Sequence, residues 1–310
     1  CNAGGLTLAT ASGVSQGAAG QITDTGTVTL SGNGTFTLNN GSNAFTGLAS
    51  NGALGGALTA LTTQALNVGN LNAGSNAVTL TAAGTTAGGT LSAGNLSVSG
   101  TGTFTLGTSV DTVTAGVTGS ITINETNGFN VAAGGLTASG SGNSVTINTT
   151  SGSIGGTGTV SATNLVLQGS GTNYTLTTSI DNISGSVNGG GQVNIANGTK
   201  ALAVNTLAVA NGTVHLTAGG VTGSGLSAGS LLLDGSGTHN LSGTIGTLAA
   251  KTTSGTFTFS NSSALTVGTV LGINGIDTGG RDLSLTAGGL LTAAQSLAVG
   301  AGQATLDAAG

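Results

Sequence analysis

The sequence predicts an all-β fold: a parallel (right-handed) β-helix, or β-solenoid, built from four repeats of about 69 residues. Three observations lead there. A set of landmarks recurs in fixed order along the chain, the hydrophobic pattern inside each block has a period of two, and the side chains available for a core are small. Of 310 residues 61 are Gly, none is Pro, Met or Trp, and the aromatic residues are six Phe and one Tyr.

The repeat is carried by short triplets. Each block opens on an apolar-polar-apolar run: Leu6-Thr7-Leu8, Val78-Thr79-Leu80, Val145-Thr146-Ile147, Val214-His215-Leu216 and Leu283-Ser284-Leu285. The successive offsets are 72, 67, 69 and 69 (78−6, 145−78, 214−145, 283−214). A second landmark centres on an aromatic: Phe36-Thr37-Leu38, Phe104-Thr105-Leu106, Tyr174-Thr175-Leu176 and, with histidine in the slot, His239-Asn240-Leu241. Soon after come Ser109 to Val113, Ser179 to Ile183 and Thr244 to Leu248. A third landmark closes the block at Leu66-Asn67-Val68, Phe129-Asn130-Val131, Leu202-Ala203-Val204 and Leu265-Thr266-Val267. The expected organisation is one continuous solenoid over 1–310, with blocks at about 6–77, 78–144, 145–213 and 214–282 and a partial block at 283–310.

Within a block the elements are strands. Val78 to Thr81, Ser120 to Asn124 and Gly255 to Phe259 alternate apolar and polar residues and are rich in Thr, Val and Ile, the signature of half-buried strands. Clusters of Gly, Ser, Asn and Thr between them supply turns. No window of 11 or more residues sustains a helical stripe, and each interior Gly would cost a helix about 1 kcal/mol.

Two all-β architectures fit these strands. Eight Asn-Gly pairs, among them Asn33-Gly34 and Asn211-Gly212, suit hairpins in a string of antiparallel sandwiches. Sandwiches need bulky core residues, however, whereas Val, Leu, Ile and Ala fill the narrow interior of a solenoid. Coils of ~20 residues stacked roughly 4.8 Å apart would give about 15 coils and a rod on the order of 70 Å long. One coil cannot bury both of its faces, so each depends on its neighbours. Neither end of the chain has an atypical capping segment, which reads as an array cut from a longer one or a unit that stacks end to end.

The charge balance narrows function. Three basic residues, Lys200, Lys251 and Arg281, stand against eight acids, for a formal charge of −5. Three scattered cations make no patch for phosphates, so nucleic acid is not an expected partner. Apolar runs are only a few residues long, so no transmembrane segment is expected. Residue 1 is not Met, and any targeting signal is expected to have been removed already.

Chemistry has few candidates. The acids are Asp24, Asp111, Glu125, Asp181, Asp234, Asp277, Asp282 and Asp307. Asp111 and Asp181 hold equivalent places in two blocks, as turn or strand-end positions, offset from one another by a whole block. A carboxylate pair for glycoside hydrolysis needs its two groups within about 10 Å. Asp277, Arg281 and Asp282 form the one cluster resembling a lyase's acid-plus-base set. Gly279-Gly280-Arg281-Asp282-Leu283 resembles a calcium nonapeptide, but no aspartates recur at nine-residue steps. His215 and His239 fall on repeat positions as surface or ladder residues and lack a metal-spaced partner. Ser and Thr have no base to activate them. The Thr-x-Thr pairs at 27–29, 35–37, 103–105 and 256–258 resemble ice-binding elements yet recur irregularly. Asn33, Asn124, Asn173 and Asn211 begin Asn-x-Ser/Thr triplets, as expected in a chain so rich in these residues. No enzyme activity, cofactor or metal is expected.

The run Leu265-Thr266-Val267-Gly268-Thr269-Val270, then Gly272-Ile273-Asn274-Gly275-Ile276 and Leu283 to Gly289, resembles the repeats of filamentous-haemagglutinin-like exoproteins. So does Ala304 to Gly310. The likeness is good over about 214–310 and weaker over 1–213. It implies a β-solenoid of a Gram-negative bacterial surface, a large adhesin exported through an outer-membrane secretion barrel and meeting a host or neighbouring cell. The family's export domain carries an Asn-Pro-Asn motif, and this chain has no Pro.

Cys1 is the chain's one cysteine. A leading cysteine is where a processed bacterial lipoprotein carries its acyl chains; the plainer reading is that it marks the start of a fragment, and an intermolecular disulfide is a third. The functional expectation is an extracellular or cell-surface structural protein. It is either a filament or biofilm subunit polymerising head to tail, or the rigid shaft of an adhesin. The absence of Pro and of insertions between repeats argues against a binding tip within these residues.

Overall fold

The computed structural model describes residues 4–170 and 173–309. Every regular element among them is a strand. The chain divides into two compact units, one comprising the described residues of Cys1–Gly152 and Gly156–Ser161, the other those of Ser153–Gly155 and Ala162–Gly310.

In the first unit the chain winds into coils whose strands pair in parallel with the coils before and after. Val14, Phe36, Leu58, Val78, Leu96, Val113 and Val131 stack in one continuous ladder. A second ladder runs Leu66, Thr85, Phe104, Ile121, Val145. Apart from Val14 and Thr85, every side chain in these two ladders is an apolar core residue with at most 2% exposure. The second unit repeats the plan: Ile154, Tyr174, Val193, Val214, Leu231, Leu248, Val267 and Ala293 form one ladder, and His239, Phe257, Leu283 and Ala304 another. This is the predicted parallel β-solenoid. All six Phe and Tyr174 are buried, which places the scarce bulky residues on the axis of the coils.

The coils are less uniform in length than the repeat suggests. The offset between stacked partners is 17 at Leu96↔Val113 (113−96) and 26 at Phe257↔Leu283 (283−257). The corners absorb the difference. Asn51-Gly52 and Asn127-Gly128, with Gly52 at φ 83° and Gly128 at φ 84°, mark corners between parallel strands instead of hairpins. Glycine is required where coils come closest: a Cβ on Gly100, at φ 133°, would collide with the carbonyl of Ala82 in the coil below.

The sequence block is not the stacking unit. Leu6 shares a ladder with Val28, Leu48, Val68 and Ala87, and Val145 lies on the same file of strands through Leu66 and Thr85. Val78 opens the intervening block but stacks on the other file, above Leu58 and Phe36. In the second unit Val214 and Leu283 are likewise on different ladders. A block therefore spans a half-integral number of coils, and its landmarks alternate between faces.

One element departs from the parallel plan. Thr269–Val270 and Ile273–Asn274 form an antiparallel hairpin, an insertion that the reading of uninterrupted repeats did not anticipate. Val270 and the half-buried Ile273 cover Leu232 and Ala249, two apolar residues in strands of the same unit.

Candidate functional site

Many inward rows end on a polar residue where the chain turns a corner. In the first unit the inward positions read Phe104, Leu106, Thr108, then Ile121, Ile123, Glu125, then Val145, Ile147, Thr149. In the second they read Tyr174, Leu176, Thr178, then Val193, Ile195, Asn197, and Phe257, Phe259, Asn261. All these terminal polar residues are buried. All but Thr108 bond backbone groups that the ladder abandons at the corner.

The asparagines do this most completely. Asn261 Oδ1 accepts the Ile245 amide at 2.8 Å, while its Nδ2 donates to the carbonyls of Ile245 (3.0 Å) and Ala264 (2.9 Å). Asn197 makes the same clamp on Ile180, with N–H···Oδ1 at 3.0 Å and Nδ2–H···O at 3.1 Å. Asn43 ties its corner by donating to the carbonyls of Leu38 and Leu61. Glu125 is the carboxyl member of the series. Its Oε1 accepts the amides of Thr126 (2.9 Å) and Asn127 (3.2 Å), but Oε2 and the hydroxyl of Thr108, its register neighbour, have no protein partner.

The two histidines separate. His215 lies on the outer side of its strand, half-buried, with Nε2 3.6 Å from Asp234 and 3.3 Å from the Thr217 hydroxyl. His239 is a ladder residue with no exposed surface. Its ring meets Phe257 at 5.9 Å between centroids, and neither ring nitrogen has a protein partner. Burial pushes its pKa down, with the Asp234 charge opposing in part.

The acids are spread out. Asp111 and Asp181 fall within strands, on the outward face, where strand ends or turns were expected: their strands run on around the corners. Asp181 Oδ1 takes the Lys200 ammonium at 2.8 Å. The Asp277, Arg281, Asp282 stretch serves its own turns. Asp277 Oδ1 accepts the Gly279 amide and Asp282 Oδ1 the Gln303 amide, both at 2.9 Å. No group of three or more His, Cys, Asp or Glu is gathered among the described residues. The hollow beside Asn211, Ser227, Thr244 and Ser263, about 490 Å³, carries no ionisable side chain. No helix among the described residues is long and apolar enough to cross a membrane. Cys1 lies outside the described residues.

The Thr-x-Thr pairs fall on several ladders, and some of their members, Thr37 and Thr105 among them, lie in register with Ser or Thr of neighbouring coils. Ser15, Thr37, Thr59, Thr79, Ser97 and Thr114 form one outward file over successive coils, and Thr105, Thr122 and Thr146 another.

The remaining distinctive surface belongs to the strands Leu283–Ala287, Leu291–Ala293, Leu297–Ala298 and Ala304–Ala308. Ala304–Ala308 pairs along one edge with Leu283–Ala287 and has no strand on its other edge among the described residues. A groove of about 240 Å³ opens there onto the core, lined by Val267, Leu285, Leu291, Leu297, Leu306 and Ala308. Leu306 is 48% exposed and Leu290 70%. Such an edge offers a row of unpaired amides and carbonyls beside an apolar slot, the chemistry that accepts a further strand.

No protein-family model, curated protein or solved structure matches this chain.

Proposed function

We propose that the protein is a non-catalytic structural subunit of an extracellular or cell-surface filament, extended by stacking one coil on the next. The observation that carries this reading is the run of parallel ladders, in which coil stacks on coil through paired backbone groups and apolar side chains; the strand Ala304–Ala308 with its apolar groove is of the same make. What fits there is a parallel strand bringing Leu or Val inward every second residue, and this chain is made of such strands. The small, uncharged side chains at the groove suit coil stacking, and the ladders elsewhere use the same residue types. A filament supporting a biofilm-type matrix at a Gram-negative surface is consistent with the likeness to filamentous-haemagglutinin-like repeats.

A second reading has the same edge covered by further coils of one longer polypeptide, the shaft of a secreted adhesin that holds a binding tip off the cell. The unbroken ladders of small residues support it equally. Negative-stain electron microscopy of the full chain over a concentration series separates the two. Long unbranched fibres with a constant axial repeat are expected for the subunit. Discrete particles that never extend at any concentration would remove self-assembly and leave the shaft.

A further inference from the structure

In the aromatic landmark of the repeat, Phe36, Phe104 and Tyr174 are replaced at the fourth occurrence by His239. The slot is as closed there as elsewhere. His239 has no exposed surface, its ring packs on Phe257, and the ladder continues to Leu283. Its backbone is fixed by the amide bond to the Thr256 carbonyl at 2.9 Å. Both ring nitrogens face the apolar interior without a protein partner, although a neutral imidazole offers one donor and one acceptor and a protonated one two donors. A leucine or phenylalanine would satisfy this slot at no polar cost.

We propose that His239 is an acid-sensitive release point: taking up a proton there loosens the coil stack of the unit containing it. The charged and titratable groups around it do not compensate a proton. From the strand Val221–Gly235 the acid is Asp234, already shared with His215. His215 is the titratable residue of the strand Leu202–Ala218, and Lys251 is the cation on His239's own strand. The strand Phe257–Asn261 carries none, and Leu283–Ala287 is preceded by Arg281 and Asp282, the latter holding the Gln303 amide. A proton on His239 would thus be a buried cation with no hydrogen-bond acceptor, so the proton is bound by the opened chain instead.

The sign follows from linkage. Burial holds the folded pKa below the ordinary imidazole value of about 6.5, so the stabilisation is complete above that pH. As the pH falls below 6.5 the unfolded chain binds a proton that the folded one refuses. The unfolding equilibrium constant then rises by up to about tenfold per pH unit until the folded pKa is reached.

The test is urea unfolding of the full chain at several pH values between about 5.5 and 7, above the range where carboxylates titrate. Tyr174 fluorescence is the probe, because it is the chain's one tyrosine and lies in the same unit. Wild type should lose stability on acidification. His239→Phe should remove that dependence, whereas His215→Asn, altering the outward histidine, should keep it. His239→Gln, which cannot titrate, supplies the same reading should the phenylalanine variant fail to fold. A wild-type profile flat across the window, or an acid response undiminished in the His239 variants, overturns the proposal.

Discussion

Asn261 shows how much one side chain does at a corner. Its amide group meets both polar groups of Ile245 and the carbonyl of Ala264, all in a buried setting. Replacing it with Ala abandons a buried N–H and two carbonyls, and each such group costs about 1–3 kcal/mol when left dry. Asn261→Ala should therefore lower stability by roughly 2–4 kcal/mol, and Asn197→Ala by a similar amount. Asn205→Ala, at an exposed position, should change it by less than about 0.5 kcal/mol. Urea midpoints of the three variants decide the matter, and equal midpoints would show that the clamps carry no weight. The clamps are legible in the sequence. In Val193-Asn194-Ile195-Ala196-Asn197 and Phe257-Thr258-Phe259-Ser260-Asn261, strand parity alone puts the final asparagine inward with the apolar residues. A polar residue at inward parity is the signal, and the same count finds Thr108, Glu125 and Thr149. The landmark leaves His239 as either a surface or a ladder residue; its closure depends on Phe257, a full coil further along the chain, and no local pattern conveys that.

The element that local reading missed is the hairpin of Thr269–Val270 and Ile273–Asn274. Its two-residue turn is Leu271-Gly272, with φ of 50° and 84°, as a type I′ turn requires. Gly, Asn and Asp are the residues that adopt such angles readily, so the Asn274-Gly275 pair draws attention a few positions too late. Leu271 accepts the left-handed conformation at a cost of roughly 1–2 kcal/mol and leaves its side chain half exposed. The pairing of Val270 with Ile273 and their cover over Leu232 and Ala249 hold the turn in place. Leu271→Asn should consequently stabilise this unit by about 1 kcal/mol, read as a higher melting temperature. A lower one would mean that Leu271 makes a contact worth more than its strain. Parallel strands were easier to foresee, because period-two runs of Val, Ile and Thr state them directly. The half-integral relation between block and coil was not foreseen: it depends on corner lengths, which vary from coil to coil while the strands keep their pattern.

Across the whole molecule, stability rests on ladders of apolar side chains and paired backbone groups, with charge nearly absent. Three basic and eight acidic residues are scattered along the chain, and the close pairs of ionisable groups found among the described residues are Lys200 with Asp181 and His215 with Asp234, the second charged only when the imidazole is protonated. Lys200 and Asp181 are each about half exposed, and such pairs contribute about 0–1 kcal/mol. A formal charge of −5 dispersed this thinly produces little self-repulsion beyond a Debye length of about 8 Å at physiological ionic strength. Attraction and repulsion are therefore both small, and salt has little to screen. Raising NaCl from about 0.02 to 0.5 M at pH 7.5 should shift stability by less than about 0.5 kcal/mol. Lys200→Ala should fall inside the same margin. A large loss with salt would reveal an electrostatic network that the two pairs do not represent. A large gain would mean that the scattered acids repel one another strongly, which their spacing in the ladders does not suggest. The same insensitivity bears on assembly: coils that meet through backbone pairing and Leu or Val side chains should associate alike at low and moderate salt, whereas a charged interface would come apart.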